Sequence, residues 1–97
     1  MKKENHTICP VARTALLLSD IWTMLIIRDL LKNKMRFSEL EKSLTGISTR
    51  TLTLKLKKLE EDCIIVKKDL YYSLTPQGKK LKKVIDAMES WGKTVDN

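Results

Sequence analysis

Residues 38–62, SELEKSLTGISTRTLTLKLKKLEED, followed by CIIVKKDLYYSL at 63–74, decide the fold. Ser38-Glu39-Leu40-Glu41 has the Ser-x-x-Glu form of a capping box, with Phe37 placed as a hydrophobic staple, so a helix is expected over about Ser38–Leu44. Thr45-Gly46-Ile47 is a tight break. Ser48 can then cap a second helix over roughly 49–62, whose apolar stripe is Leu52, Leu56 and Leu59, continued by Cys63. Two short helices joined by a turn of about three residues containing Gly form a helix-turn-helix. Ile64-Ile65-Val66 and Leu70-Tyr71-Tyr72-Ser73-Leu74 are β-branched or aromatic runs and read as strands. Lys67-Lys68-Asp69 between them forms a hairpin tip. A hairpin directly after the second helix marks the winged form of the motif.

Working outward, Pro10 suits the first position of a helix over about 10–19. Asp20 can cap a further helix, Trp22–Lys32, in which Trp22, Leu25, Ile26 and Leu30 keep helical spacing. Past the hairpin, Thr75-Pro76 starts a last helix over about 76–95, with the stripe Leu81, Val84 or Ile85, Met88, Trp91 and Val95. The expected fold class is therefore mainly α with a small β-hairpin, a winged helix-turn-helix, in a single domain spanning 1–97.

Bulk composition agrees with this class. The chain has 97 residues, 42% hydrophobic and only 5% aromatic, so aliphatic side chains must supply the core. The net charge of +7 favours polyanionic partners. No stretch approaches the ~20 apolar residues of a membrane span. The basic start MKKENHTICP lacks the apolar run of a signal peptide. Cys9 and Cys63 are too few for a disulfide framework, so a cytoplasmic location with reduced thiols is expected. An enzyme is not expected. The only histidine is His6, and no catalytic triad, phosphate-cradling loop or metal cluster is present. His6 with Cys9 gives two ligands, which do not make a metal site, and no cofactor is expected.

In order along the chain, CPVARTALLLSDIWTMLIIRDL (9–30), RFSEL (36–40), GISTRTLTLKLKKLEED (46–62), YSLTPQG (72–78) and a helix ending in Trp91-Gly92 resemble the HxlR family of winged-helix transcriptional regulators. The resemblance implies a homodimer that binds promoter DNA and dimerises through its terminal helices. Three features depart from the family pattern. The wing is shortened to Lys67-Lys68-Asp69. Leu54 stands where a polar residue is common. Cys63 occupies a position where the family usually has Gly, and where the backbone often turns left-handed.

On a helical wheel Leu52, Leu56 and Leu59 define the inward face, and Arg50, Thr53, Leu54 and Lys57 point away from it. The start of the second helix of a helix-turn-helix enters the major groove. Ser48, Thr49, Arg50 and Thr53 are therefore base-edge candidates, and Arg50 leads because Arg grips guanine O6 and N7 with two hydrogen bonds. Leu54 can pack on a thymine methyl. Lys55, Lys57 and Lys58 lie further along, towards phosphates. Lys67 and Lys68 reach backbone from the wing, while Ser38, with Arg36 just before it, faces a phosphate at the preceding helix. Lys79, Lys80, Lys82 and Lys83 read as the outer face of the last helix.

The terminal helices are more apolar than so small a core can cover. Val11, Leu16, Leu81, Ile85, Met88 and Trp91 are the expected dimer contacts, across a two-fold axis that matches a palindromic operator. Cys63 reads as structural. Cys9 lies at a helix N-terminus, which stabilises a thiolate. Several proteins of the resembled family use a cysteine here, so Cys9 is a candidate redox sensor for a small electrophile or oxidant. The function reading is a sequence-specific double-stranded DNA-binding regulator acting as a homodimer. The alternative is a winged-helix protein–protein interaction module with only non-specific DNA binding, motivated by the short wing and Leu54.

Overall fold

The computed structural model describes residues 9–95. Cys9 caps α1 (Pro10–Leu17): its Sγ accepts from the Ala12 N–H at 3.4 Å, and Pro10 stands at the first turn, where its missing donor costs nothing. Asp20 caps α2 (Ile21–Lys32), accepting from the Thr23 N–H at 2.8 Å and the Thr23 hydroxyl at 2.9 Å. Ile26, Ile27 and Leu30 make α2 the central helix of the core.

Next comes β1 (Met35–Arg36), then α3 (Phe37–Ser43), α4 (Thr49–Glu61), the hairpin β2 (Ile65–Lys68) and β3 (Tyr71–Leu74), and finally α5 (Pro76–Lys79) and α6 (Lys82–Gly92). The strands form an antiparallel sheet in the order β1-β3-β2. Met35 pairs with Tyr72 and Arg36 with Tyr71 on one side of β3. On the other side Lys67 pairs with Tyr72 and Lys68 with Tyr71. The winged helix-turn-helix is thus present, with one strand more than the hairpin that the sequence suggests.

Four local readings are corrected. Ser38 does not cap α3. Phe37 is already helical, Arg36 is the cap residue, and Glu39 rather than Glu41 reaches back to accept from the Arg36 N–H at 2.8 Å. The hairpin tip is Asp69-Leu70, because Lys67 and Lys68 are paired strand residues. The helix expected over 76–95 is broken at Lys80–Leu81, where the N–H groups of both residues bond three residues back, to Gln77 and Gly78. Cys63, expected to extend the buried stripe, is exposed.

Cys63 nonetheless has the left-handed backbone foreseen for its position, with φ at 61°. It closes α4 in a Schellman motif. The Ile64 N–H bonds the Leu59 carbonyl at 3.0 Å and the Cys63 N–H bonds that of Glu60 at 3.0 Å, while the Leu59 and Ile64 side chains share the core. Gly46, with φ at 93°, makes the helix-turn-helix turn, a conformation that L side chains rarely adopt. Leu40, Leu44, Ile47, Leu52, Leu56 and Leu59 are all buried and lock α3 and α4 together.

Candidate nucleic-acid interface

The position of α4 is fixed from three sides. Its leucines bury one face. At its start the Ser48 Oγ accepts from the Thr51 N–H at 3.0 Å, and the Thr49 hydroxyl donates to Glu41 on α3. Midway, Lys55 Nζ lies 3.0 Å from Asp20 Oδ2 at the start of α2. The first helix of the motif is anchored separately. Asp29 of α2 is only 5% exposed, yet every oxygen is bonded: Oδ2 accepts from the Ser43 hydroxyl of α3 at 2.7 Å, and Oδ1 from Arg28 Nε and Nη2 at 3.1 and 2.9 Å. Buried polar groups are tolerated on that condition. Sequence reasoning missed Asp29, because its partner Ser43 lies 14 residues away.

Asp20 carries a pH dependence. Partial burial pushes its carboxyl up, but hydrogen bonds from the Thr23 N–H, Lys55 and the Thr23 hydroxyl outweigh this and leave the pKa below the usual aspartate value. A depressed pKa stabilises the fold above the unfolded-state value of about 3.9 and loses that contribution as pH falls through the folded value. The pair is about one-third exposed, so screening keeps its worth under about 1 kcal/mol. Asp20→Asn retains a capping acceptor but loses the titration. Urea unfolding of this variant is expected to fall less steeply than wild type between pH 5 and 3. Parallel acid limbs would remove Asp20 from this role.

Ser38, Ser48, Thr49, Arg50, Thr53, Leu54, Lys57, Lys67 and Lys68 are all exposed. The structure divides them. The hydroxyls of Ser48, Thr49 and Thr53 are engaged locally, with Thr51, Glu41 and the Thr49 carbonyl respectively. Arg50 and Lys57 have no hydrogen bond or ion pair among the described residues and share the outward face of α4. Leu54, 54% exposed, borders a groove of about 820 Å³ between α4 and α1, whose lining includes Leu16, Leu17 and Cys63. Two further lysines of α4, expected on phosphates, are paired instead: Lys55 with Asp20, and Lys58 with Asp62 at 3.4 Å.

The sheet gathers cations that sequence reasoning did not connect. The register sets Arg36, Tyr71 and Lys68 in one row across β1, β3 and β2. Lys34 Nζ lies 4.9 Å and Arg36 Cζ 5.4 Å from the Tyr71 ring centre, within cation–π range. Lys67 Nζ lies 5.4 Å from the ring of Tyr72, which faces the core. The strand β1 creates this cluster, and a strand of two residues leaves no periodicity to read.

The terminal helices are bare. Neither α1 nor α6 contains a buried residue. Val11 is 79% and Trp91 70% exposed, and Leu16 and Met88 are also open; Leu81 and Ile85 pack partly on the domain's own core. Cys9 is exposed at the start of α1. His6 lies outside the described residues. Among the described residues, no group of three or more metal-ligating side chains occurs, and no single helix is long and apolar enough to cross a membrane.

Comparison with known proteins gives a consistent picture. The profile of the HxlR-like helix-turn-helix family matches residues 17–97. An uncharacterized HTH-type transcriptional regulator of Synechocystis is 38% identical over 97 residues, covering 92% of this chain and 71% of that protein. The HTH-type transcriptional regulator YodB of Bacillus subtilis is 33% identical over 95 residues, covering 90% and 85%. In structure, quinone-bound YodB superposes with a TM-score of 0.82 at 32% identity, covering 90% of this chain and 100% of that one. The oxidised form of the redox regulator HypR superposes at 0.84 with 29% identity, covering 92% and 99%.

Proposed function

Because the chain belongs to the HxlR-like helix-turn-helix family of transcriptional regulators, we propose that it is a homodimer that reads a specific duplex sequence through α4 and responds to a small oxidant or electrophile through Cys9. The observation that carries the reading is the outward face of α4, where Arg50 and Lys57 have no partner among the described residues, on a helix held by its core face, its cap and the Lys55–Asp20 pair. Major-groove docking of such a helix puts its N-terminal residues on base edges.

The homodimer reading is supported by the apolar side chains left open on α1 and α6: Val11, Leu16, Met88 and Trp91. Leu81 and Ile85, at the start of α6, pack partly against the domain's own core. The thiol response is supported by the exposed position of Cys9 at the N-terminus of α1 and by relatives described as quinone-bound and as oxidised. Since α1 also carries dimer contacts, a change at Cys9 reaches the relative placement of the two α4 helices.

The test is equilibrium binding to a duplex from the gene's own upstream region against scrambled DNA, at about 50 and 200 mM salt, where phosphate-driven affinity falls steeply. A clear preference for the upstream duplex is expected. It should diminish with diamide in wild type but not in Cys9→Ser. Equal, salt-labile binding to both duplexes would instead favour an interaction module. A diamide response persisting in Cys9→Ser would move the sensing thiol to Cys63.

A further inference from the structure

Glu41 places a carboxylate where a DNA-binding face has least use for one. It is half-buried on α3, flanked one helical turn to either side by Phe37 and Leu44 of the core. From there its Oε2 accepts from the hydroxyl of Thr49, the first residue of α4. Among the described residues Oε1 has no hydrogen bond and the carboxylate has no ion pair, whereas Asp20, Asp29, Asp62, Asp86 and Glu89 each face a lysine or arginine. The other acidic side chains lie elsewhere. Glu39 accepts from the Arg36 N–H, Glu60 and Glu61 stand at the far end of α4, and Asp69 is in the hairpin tip.

Part of this arrangement has a structural reason. A negative charge beside a helix N-terminus is favourable, and the bond to Thr49 ties α3 to α4. A glutamine would make the same tie, because its amide oxygen accepts as well. The charge itself opposes the approach of a polyanion, unless the DNA offers it a donor. In the major groove the donors are the amino groups of cytosine N4 and adenine N6. Adenine sets its N7 acceptor beside N6, which a carboxylate repels, and amide side chains suit that pair of groups better. Cytosine presents N4 without a neighbouring acceptor and is the usual partner of a carboxylate. With Oε2 held by Thr49, Oε1 is left to accept from it.

We propose that Glu41 is a specificity-determining residue, which accepts from the N4 amino group of a cytosine beside the bases met by α4 and rejects DNA that lacks one there. The inference rests on the DNA-binding reading above and deepens it. Arg50 selects by what it donates, and Glu41 selects chiefly by what it excludes.

The test uses the full chain, the upstream duplex, a scrambled duplex and a set of upstream duplexes with one base pair changed in each. In wild type, replacing the contacted C·G pair is expected to weaken binding about 10- to 100-fold. Glu41→Gln keeps an acceptor for Thr49 and loses the charge. It should bind scrambled DNA about tenfold tighter than wild type does, with an unchanged urea midpoint. Glu41→Ala should lose the penalty at that one C·G pair and keep the penalty at the guanine read by Arg50. Relaxation confined to one pair is an effect that a merely structural role does not produce. The inference is overturned if Glu41→Gln binds scrambled DNA no tighter than wild type, if both variants keep every wild-type penalty, if the penalties shrink at all positions together, or if the relaxed pair is A·T. If Arg50→Ala still weakens upstream binding in those cases, the DNA-binding reading survives alone. A wild type indifferent to sequence overturns both.

Discussion

Replacing Gly78 with alanine is expected to destabilise the domain by about 2–4 kcal/mol, a large share of what a domain of this size has. The reason is space. Gly78 lies in the first turn of α5, pressed against the chain where α4 gives way to β2. A Cβ on it would stand 2.2 Å from the Ile64 carbonyl oxygen, 3.2 Å from the Ile64 carbonyl carbon and 3.1 Å from Leu74 Cδ2. The oxygen cannot retreat easily, since it accepts from the Thr75 N–H at 3.0 Å and from the Thr75 hydroxyl at 3.1 Å. That hydroxyl also bonds the Cys63 carbonyl at 2.7 Å and accepts from the Gly78 N–H at 3.0 Å. The clash therefore pushes apart a junction of four hydrogen bonds that joins the end of α4, the β2–β3 hairpin and α5. Alanine regains roughly 1 kcal/mol of helix propensity, which does not match the clash. Urea unfolding should show the loss, with Tm lower by more than about 10 °C. A change within about 0.5 kcal/mol would mean that α5 docks on β2 more loosely than these distances imply.

The junction illustrates what local sequence encodes and what it does not. Asp20, Ser48 and Thr75-Pro76 announce their helices because a cap bonds an N–H two or three residues away, and all three are found as expected. The start of α3 misleads because Ser38 has the right chemistry one strand too late. β1 holds residues 35–36 extended against β3, so the helix begins at Phe37 and only half of a capping box forms, the Arg36 N–H donating to the Glu39 carboxylate. The break at Lys80–Leu81 is invisible to periodicity, since the apolar stripe begins only at Leu81 and has no member on the α5 side. In the interface, the exposed face of α4 follows from the spacing of Leu52, Leu56 and Leu59. Which of its cations are free does not. Lys55 is taken by a carboxylate 35 residues away, and the cations over Tyr71 come from a strand that exists only through its partner.

Arg50→Ala is expected to lower affinity for the upstream duplex by about 10- to 100-fold, the 1–3 kcal/mol associated with one good bidentate base contact, while scrambled DNA is bound almost as before. The partition within α4 motivates the asymmetry. Ser48, Thr49 and Thr53 spend their hydroxyls on Thr51, Glu41 and the Thr49 carbonyl, so directional reading of base edges falls on Arg50, the long side chain of the first turn that has no partner among the described residues. Lys57 shares that face one to two turns later, where phosphate contact is the expectation. Lys57→Ala should weaken both duplexes alike and reduce the salt slope by about 1. Arg50→Lys separates the two kinds of contact, because it keeps the charge and loses the planar fork that spans guanine O6 and N7. If Arg50→Lys restores full discrimination, Arg50 works as a point charge on the backbone and the base-reading role falls. If it binds both duplexes equally, the fork is what reads the sequence. Arg50 is exposed, so all three variants should unfold within about 0.5 kcal/mol of wild type, which keeps a loss of binding from being mistaken for a loss of fold.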